Sequence, residues 1–143
     1  MKVIVCAGIL LLALLICGCT TVSREGGAVP AVIPGMIGNW TGTVNAYDDG
    51  TGYNNVSGAV MTLMVTEQQD RIFSGDVIFT NQSGYAWSTA FAGAIGRDGK
   101  TLTLVQREGG YSTGTIISPE EIELIYTDNS EPFTIGIDRL KKS

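Results

Sequence analysis

From Gly38 to the end of the chain, apolar and polar side chains alternate with a period of two, and helical spacing is nowhere sustained. The alternation breaks at clusters of Gly, Asn, Asp, Ser and Pro, which divide the stretch into eight candidate strands. They run Asn39–Tyr47, Ser57–Thr66, Arg71–Thr80, Trp87–Ile95, Thr101–Gln106, Tyr111–Ser118, Glu121–Thr127 and Phe133–Leu140. In the first, Trp40, Val44 and Ala46 share a face opposite Asn39, Thr41, Thr43 and Asn45. Phe73, Val77 and Phe79 oppose Ser74, Asp76 and Thr80, and Ile122, Leu124 and Tyr126 oppose Glu121, Glu123 and Thr127. In the last strand the apolar set is Phe133, Ile135 and Ile137, against Thr134 and Asp138. One wet and one dry face per strand is the mark of an antiparallel sheet. Eight short strands joined by short turns predict an all-β domain over residues 38–143, an antiparallel eight-stranded up-and-down meander barrel. A filling interior set of Trp40, Met61, Leu63, Phe73, Phe79, Phe91 and Phe133 is expected.

A short echo runs through this domain. Trp40-Thr-Gly-Thr-Val44, Phe73-Ser-Gly-Asp-Val77, Phe91-Ala-Gly-Ala-Ile95 and Ser112-Thr-Gly-Thr-Ile116 share a glycine two residues before Val or Ile. In the first three an aromatic, the glycine and the branched residue follow each other on the inward face. Such glycines either leave room for a ligand or let a strand bend as the sheet closes, and the second reading is favoured.

The N-terminus has a different pattern. Met1-Lys2 precedes an apolar run from Val3 to Ile16, short for a spanning helix, followed by Cys17-Gly18-Cys19. This is a secretory signal pattern, and Ile16-Cys17-Gly18-Cys19 resembles a lipobox. That resemblance implies cleavage after residue 18 and acylation of Cys19. Residues 1–18 then form the signal or anchor segment, and 19–37 form the lipidated N-terminus and a linker. Gly26, Gly27, Pro30, Pro34 and Gly35 exclude a helix there. The apolar second half of the linker, including Met36, is able to lie against the domain. The expected location is the extracytoplasmic face of a membrane, with the bilayer as partner through the acylated cysteine.

Composition narrows the chemistry. The chain of 143 residues has no histidine, and its three cysteines all precede residue 20. A nucleophile activated by imidazole is therefore absent, and so is the usual zinc ligand set. Nine basic against 14 acidic side chains give a net charge of −5, which argues against nucleic acid as a partner. Asp48-Asp49-Gly50-Thr51-Gly52 lacks the ligand spacing of a calcium loop, and no cofactor or metal site is read from the sequence.

Gly38-Asn39-Trp40, at the start of the first strand, resembles the Gly-x-Trp signature of the calycin barrels, the lipocalins, avidins and their relatives. The resemblance implies an eight-stranded barrel with a cavity at one end. It also implies a basic side chain across Trp40, with Arg139 as the matching candidate and Lys141 second.

Eight consecutive strands put both ends of the domain at one end of the barrel, called the bottom below. The longer connections (48–56, 81–86, 107–110 and 128–132) then fall at the top. Tyr53 and Tyr85, with Tyr111 and Trp87 at the loop edges, are candidate ligand-binding residues, since such side chains combine low ordering cost with hydrogen bonding. Asp48, Asp49, Glu108, Asp128 and Glu131 against Arg107 leave this rim about four charges negative. Asn39, Asn55 and Asn81 stand in glycosylation sequons. The reading that follows is a non-enzymatic envelope or interaction role, with a barrel that binds a small apolar or amphipathic ligand as the alternative. A pocket larger than about 300 Å³ opening among the top loops favours the alternative.

Overall fold

The computed structural model describes residues 32–54, 59–81 and 83–143. The lipobox, Cys19, the linker up to residue 31 and the Asn55 sequon lie outside the described residues. The strands are β1 Gly38–Asp48, β2 Gly52–Asn54, β3 Val60–Gln69, β4 Ile72–Thr80 and β5 Ala86–Ile95. They continue as β6 Thr101–Gln106, β7 Tyr111–Ser118, β8 Glu121–Asp128 and β9 Thr134–Lys142.

Each strand pairs antiparallel with its neighbours, and β1 pairs with β9 from Trp40↔Lys142 to Asp48↔Thr134, so the sheet closes on itself. β2 and β3 share the same edge of β1, β2 against Ala46–Asp48 and β3 against Gly38–Thr43. They form one stave in two pieces, and the barrel has eight staves. The sequence places this stretch in a loop as far as Val56, whereas Tyr53 pairs with Tyr47 inside the sheet. Both ends of the domain do meet at the bottom, where the Ser143 amide donates to the Asn39 carbonyl at 2.9 Å.

Two-residue turns at Asp70-Arg71 and Pro119-Glu120 join bottom hairpins whose registers shift by one residue near Val65/Glu67 and Ile116/Ser118. Bulges of this kind increase local twist and help a sheet to curl. The echoed glycines serve the same closure. A Cβ at Gly42 would collide with the Arg139 carbonyl, and one at Gly75 with the Met64 carbonyl. At Gly93 it would stand 2.5 Å from the Phe73 ring, which covers the gap. The glycines let neighbouring backbone and rings approach and leave no room for a ligand.

The lower half of the interior is solid. Trp40, Leu63, Phe73, Ile95, Leu102, Ile122, Leu124 and Leu140 are fully buried, and Phe73 meets Phe91 edge-on with ring centroids 5.9 Å apart. The end of the linker closes the bottom. Met36 is fully buried, its carbonyl accepts the Trp40 indole N–H at 2.7 Å, and Gln68 holds the Met36 amide and the Pro34 carbonyl.

One face expected from the sequence is reversed. In β9, Thr134, Gly136, Asp138 and Leu140 point inward, while Ile135 and Ile137 are both 48 % exposed; Phe133, just before the strand, is also exposed. The expected inward set of Phe133, Ile135 and Ile137 is therefore corrected. β9 continues to Lys142, so the opposite phase would drive Arg139 and Lys141 into the packed lower half. Burying two unpaired cations there costs far more than exposing two isoleucines.

Candidate functional site

Above the packed half, the barrel is hollow. A cavity of about 310 Å³ opens at the top. Its apolar wall is Val44 and Ala46 from β1, Met61 from β3, Val77 and Phe79 from β4, and Trp87 from β5. Its polar groups are Asp48, Gln106, Tyr126, Thr134 and Asp138. The sequence explains the change between halves. Lower inward positions carry large side chains, whereas Val44, Ala46, Thr134 and Gly136 near the top are small.

The polar groups differ in how they are held. Asp48 accepts a hydrogen bond from the Thr134 hydroxyl at 2.7 Å. Tyr126 donates to Asp128 Oδ2 at 3.2 Å. Burial, with the Asp128 charge added to it, pushes the Tyr126 hydroxyl up to about 12, so it remains a neutral donor. Asp138 is 2 % exposed, and its Oδ1 has no hydrogen-bond partner among the described residues. Burial pushes its carboxyl up to about 7. Thr89 Oγ1 and Ser112 Oγ are also buried without partners among the described residues, but neither residue lines the cavity.

Of the residues singled out in the sequence, Trp87 lines the cavity. Tyr53, Tyr85 and Tyr111 are 93 %, 66 % and 47 % exposed and are not among its lining residues. Tyr53 packs edge-on against Tyr47 outside the barrel, and the Tyr85 amide donates to Asn81 Oδ1. That same oxygen holds Ser83, so the Asn81 side chain ties its own turn, and Asn39 stands on the outer face of β1. The pairing expected of Trp40 is also corrected. Arg139 points outward and bonds Glu123 at 2.7 Å, whereas Lys142 stands over the indole with Nζ 5.0 Å from the ring centroid. Lys142 faces Trp40 directly across the β1–β9 pair, which places its stem over the ring.

Sequence reasoning missed Asp138, Tyr126 and Gln106. A signal for Asp138 was present, because continuing the alternation through Leu140-Lys141 fixes Asp138 on the inner face.

No protein-family model and no curated protein matches the sequence. Among solved structures, the chain is similar to a redesigned beta barrel at 12 % identity with a TM-score of 0.55, covering 75 % of this chain and 90 % of that one. It is similar as well to EF1p2_mFAP2b bound to DFHBI, at 10 % identity and a TM-score of 0.54, covering 75 % and 93 %. Both similarities concern the barrel fold.

Proposed function

We propose that this protein is a lipid-anchored extracytoplasmic barrel that binds a small apolar or amphipathic ligand in its upper half. The observation that carries the reading is the open cavity of about 310 Å³ above a packed base. Its size is at the lower end for small-molecule sites, and an apolar wall with a few polar groups is the usual composition of such sites. A filled envelope spacer fits the lower half of this barrel but not the upper. The similar barrel bound to DFHBI supports uptake of a small molecule by this architecture. The anchor rests on the lipobox-like Ile16-Cys17-Gly18-Cys19. An anchor there joins the barrel at its bottom, with the mouth facing away from the bilayer.

Two experiments test the two parts. Energy transfer from tryptophan to 2-naphthol, added to the purified full chain, should report saturable binding at Trp87. Ala46→Phe should weaken it at least tenfold while circular dichroism stays unchanged; equal binding by both proteins overturns the cavity reading. Mass spectrometry of protein from membranes should find a chain that begins at an acylated Cys19, and an intact signal or a bare cysteine overturns the anchor.

A further inference from the structure

The cavity floor carries a group that the fold leaves unpaired. Asp138 is almost wholly buried, faces the cavity, and keeps Oδ1 without a partner among the described residues. Buried polar atoms are nearly always paired, so a carboxyl group that lines an open pocket and keeps one oxygen unpaired calls for a donor from outside.

The groups around it decide what kind of donor. From β1, Val44 pairs with Asp138, with Ala46 and Asp48 above; from β8, Leu124 pairs with it, with Tyr126 above. Met61, Val77 and Gln106 complete the walls from β3, β4 and β6. On its own strand the inward neighbours are Gly136 and Leu140, while Arg139 is turned outward to Glu123. Among the described residues, the ionisable groups lining the cavity are thus Asp48, Asp138 and Tyr126, with no lysine or arginine. An anionic ligand would meet two carboxyl groups and no positive charge. A neutral ligand would leave the Asp138 charge uncompensated in an apolar setting. A cation resolves both, and aromatic Phe79 and Trp87 in the wall are compatible with it.

Taking the binding-barrel reading above as its basis, we propose that the ligand is a small cationic amphiphile, whose protonated amine pairs with the Asp138 carboxylate while its apolar body fills the wall between Val44, Met61, Val77 and Phe79. The cavity holds the space of about ten waters, enough for an amine of about that many heavy atoms. The acidic top rim, including Asp48 and Asp128, attracts such a molecule to the mouth. Because burial holds the Asp138 carboxyl near 7, acidification neutralises it and removes the preference for a cation, while the amine itself stays protonated.

The test compares hexylamine, 1-hexanol and hexanoate on the full chain in lipid nanodiscs at pH 8.5, read by tryptophan fluorescence. Hexylamine should bind about ten- to hundredfold more tightly than hexanol, with hexanoate weakest, as befits one charge-assisted hydrogen bond. Asp138→Asn should abolish this ranking. On the unmodified protein, the preference for hexylamine should decline as pH falls from 8.5 to 5.5, a readout that does not depend on the variant folding. Equal affinity for amine and alcohol, or a preference unchanged down to pH 5.5, overturns the cation inference and leaves the cavity reading intact. Saturable binding by none of the three overturns both.

Discussion

At Asp138 a carboxyl group sits on an apolar floor, and its burial has a sign that pH reveals. Its folded value of about 7 lies above the 3.8 of a free aspartate, so the native state holds a proton that the unfolded chain releases. Stability is therefore greatest below pH 4 for this group and is lost as pH rises towards 7, the reverse of an ion-paired aspartate. Chemical denaturation of Asp138→Asn and wild type should show the variant gaining roughly 3 kcal/mol relative to wild type between pH 4 and pH 8. A constant difference contradicts the burial cost. Trp40 is the opposite case, a large side chain with its one polar atom satisfied by Met36 and its face covered by Lys142. Trp40→Phe should cost about 1–2 kcal/mol, mostly through the orphaned Met36 carbonyl. At Gly42 the neighbouring backbone leaves no space, so Gly42→Ala should cost about 1–3 kcal/mol, whereas Gly35→Ala, with nothing within 4 Å, should be nearly neutral. Thermal or denaturant midpoints separate the two alanine variants.

Among the elements, β9 is the most informative. It closes the barrel against β1, supplies Asp138 to the cavity and Leu140 to the packed base, and turns two isoleucines outward. Its apolar residues are therefore not equivalent. Leu140→Ala should cost about 2–5 kcal/mol, as core truncations do, while Ile135→Thr and Ile137→Thr should each stay within about 1 kcal/mol. A larger loss at 137 than at 140 would mean that the strand sits in the other phase. Period-two patterning found every stave, because half-buried antiparallel strands advertise themselves in this way. It failed on the phase of β9 because both of its faces carry apolar residues. The deciding information lay in the charged pair Arg139 and Lys141, whose side must be the wet one. The broken β2–β3 stave was hidden for a related reason: Gly52-Tyr53-Asn54 reads as a loop, and becomes strand only because β1 offers an unpaired edge beyond Thr43.

For the whole molecule, the division into a packed base and a hollow top organises everything else. Amide hydrogen exchange should be slowest for Trp40, Leu63, Leu102, Ile122 and Leu140, and faster by orders of magnitude for Ala46, Phe79 and Trp87 around the cavity, since opening there exposes little packed surface. Uniform protection from base to rim would contradict the division. The sequence alone determined the strand class, the stave number, the common end for both ends of the barrel domain, the structural use of the glycines and the lack of any imidazole. These follow from local rules, namely alternation, turn residues and residue counts, that act within a few neighbours along the chain. The cavity, the orphaned Asp138 and the exchange of Arg139 for Lys142 over Trp40 were settled only in three dimensions. Each depends on which residues from different staves reach the same level inside a closed barrel, and that level is set by register and bulges summed around the whole circumference.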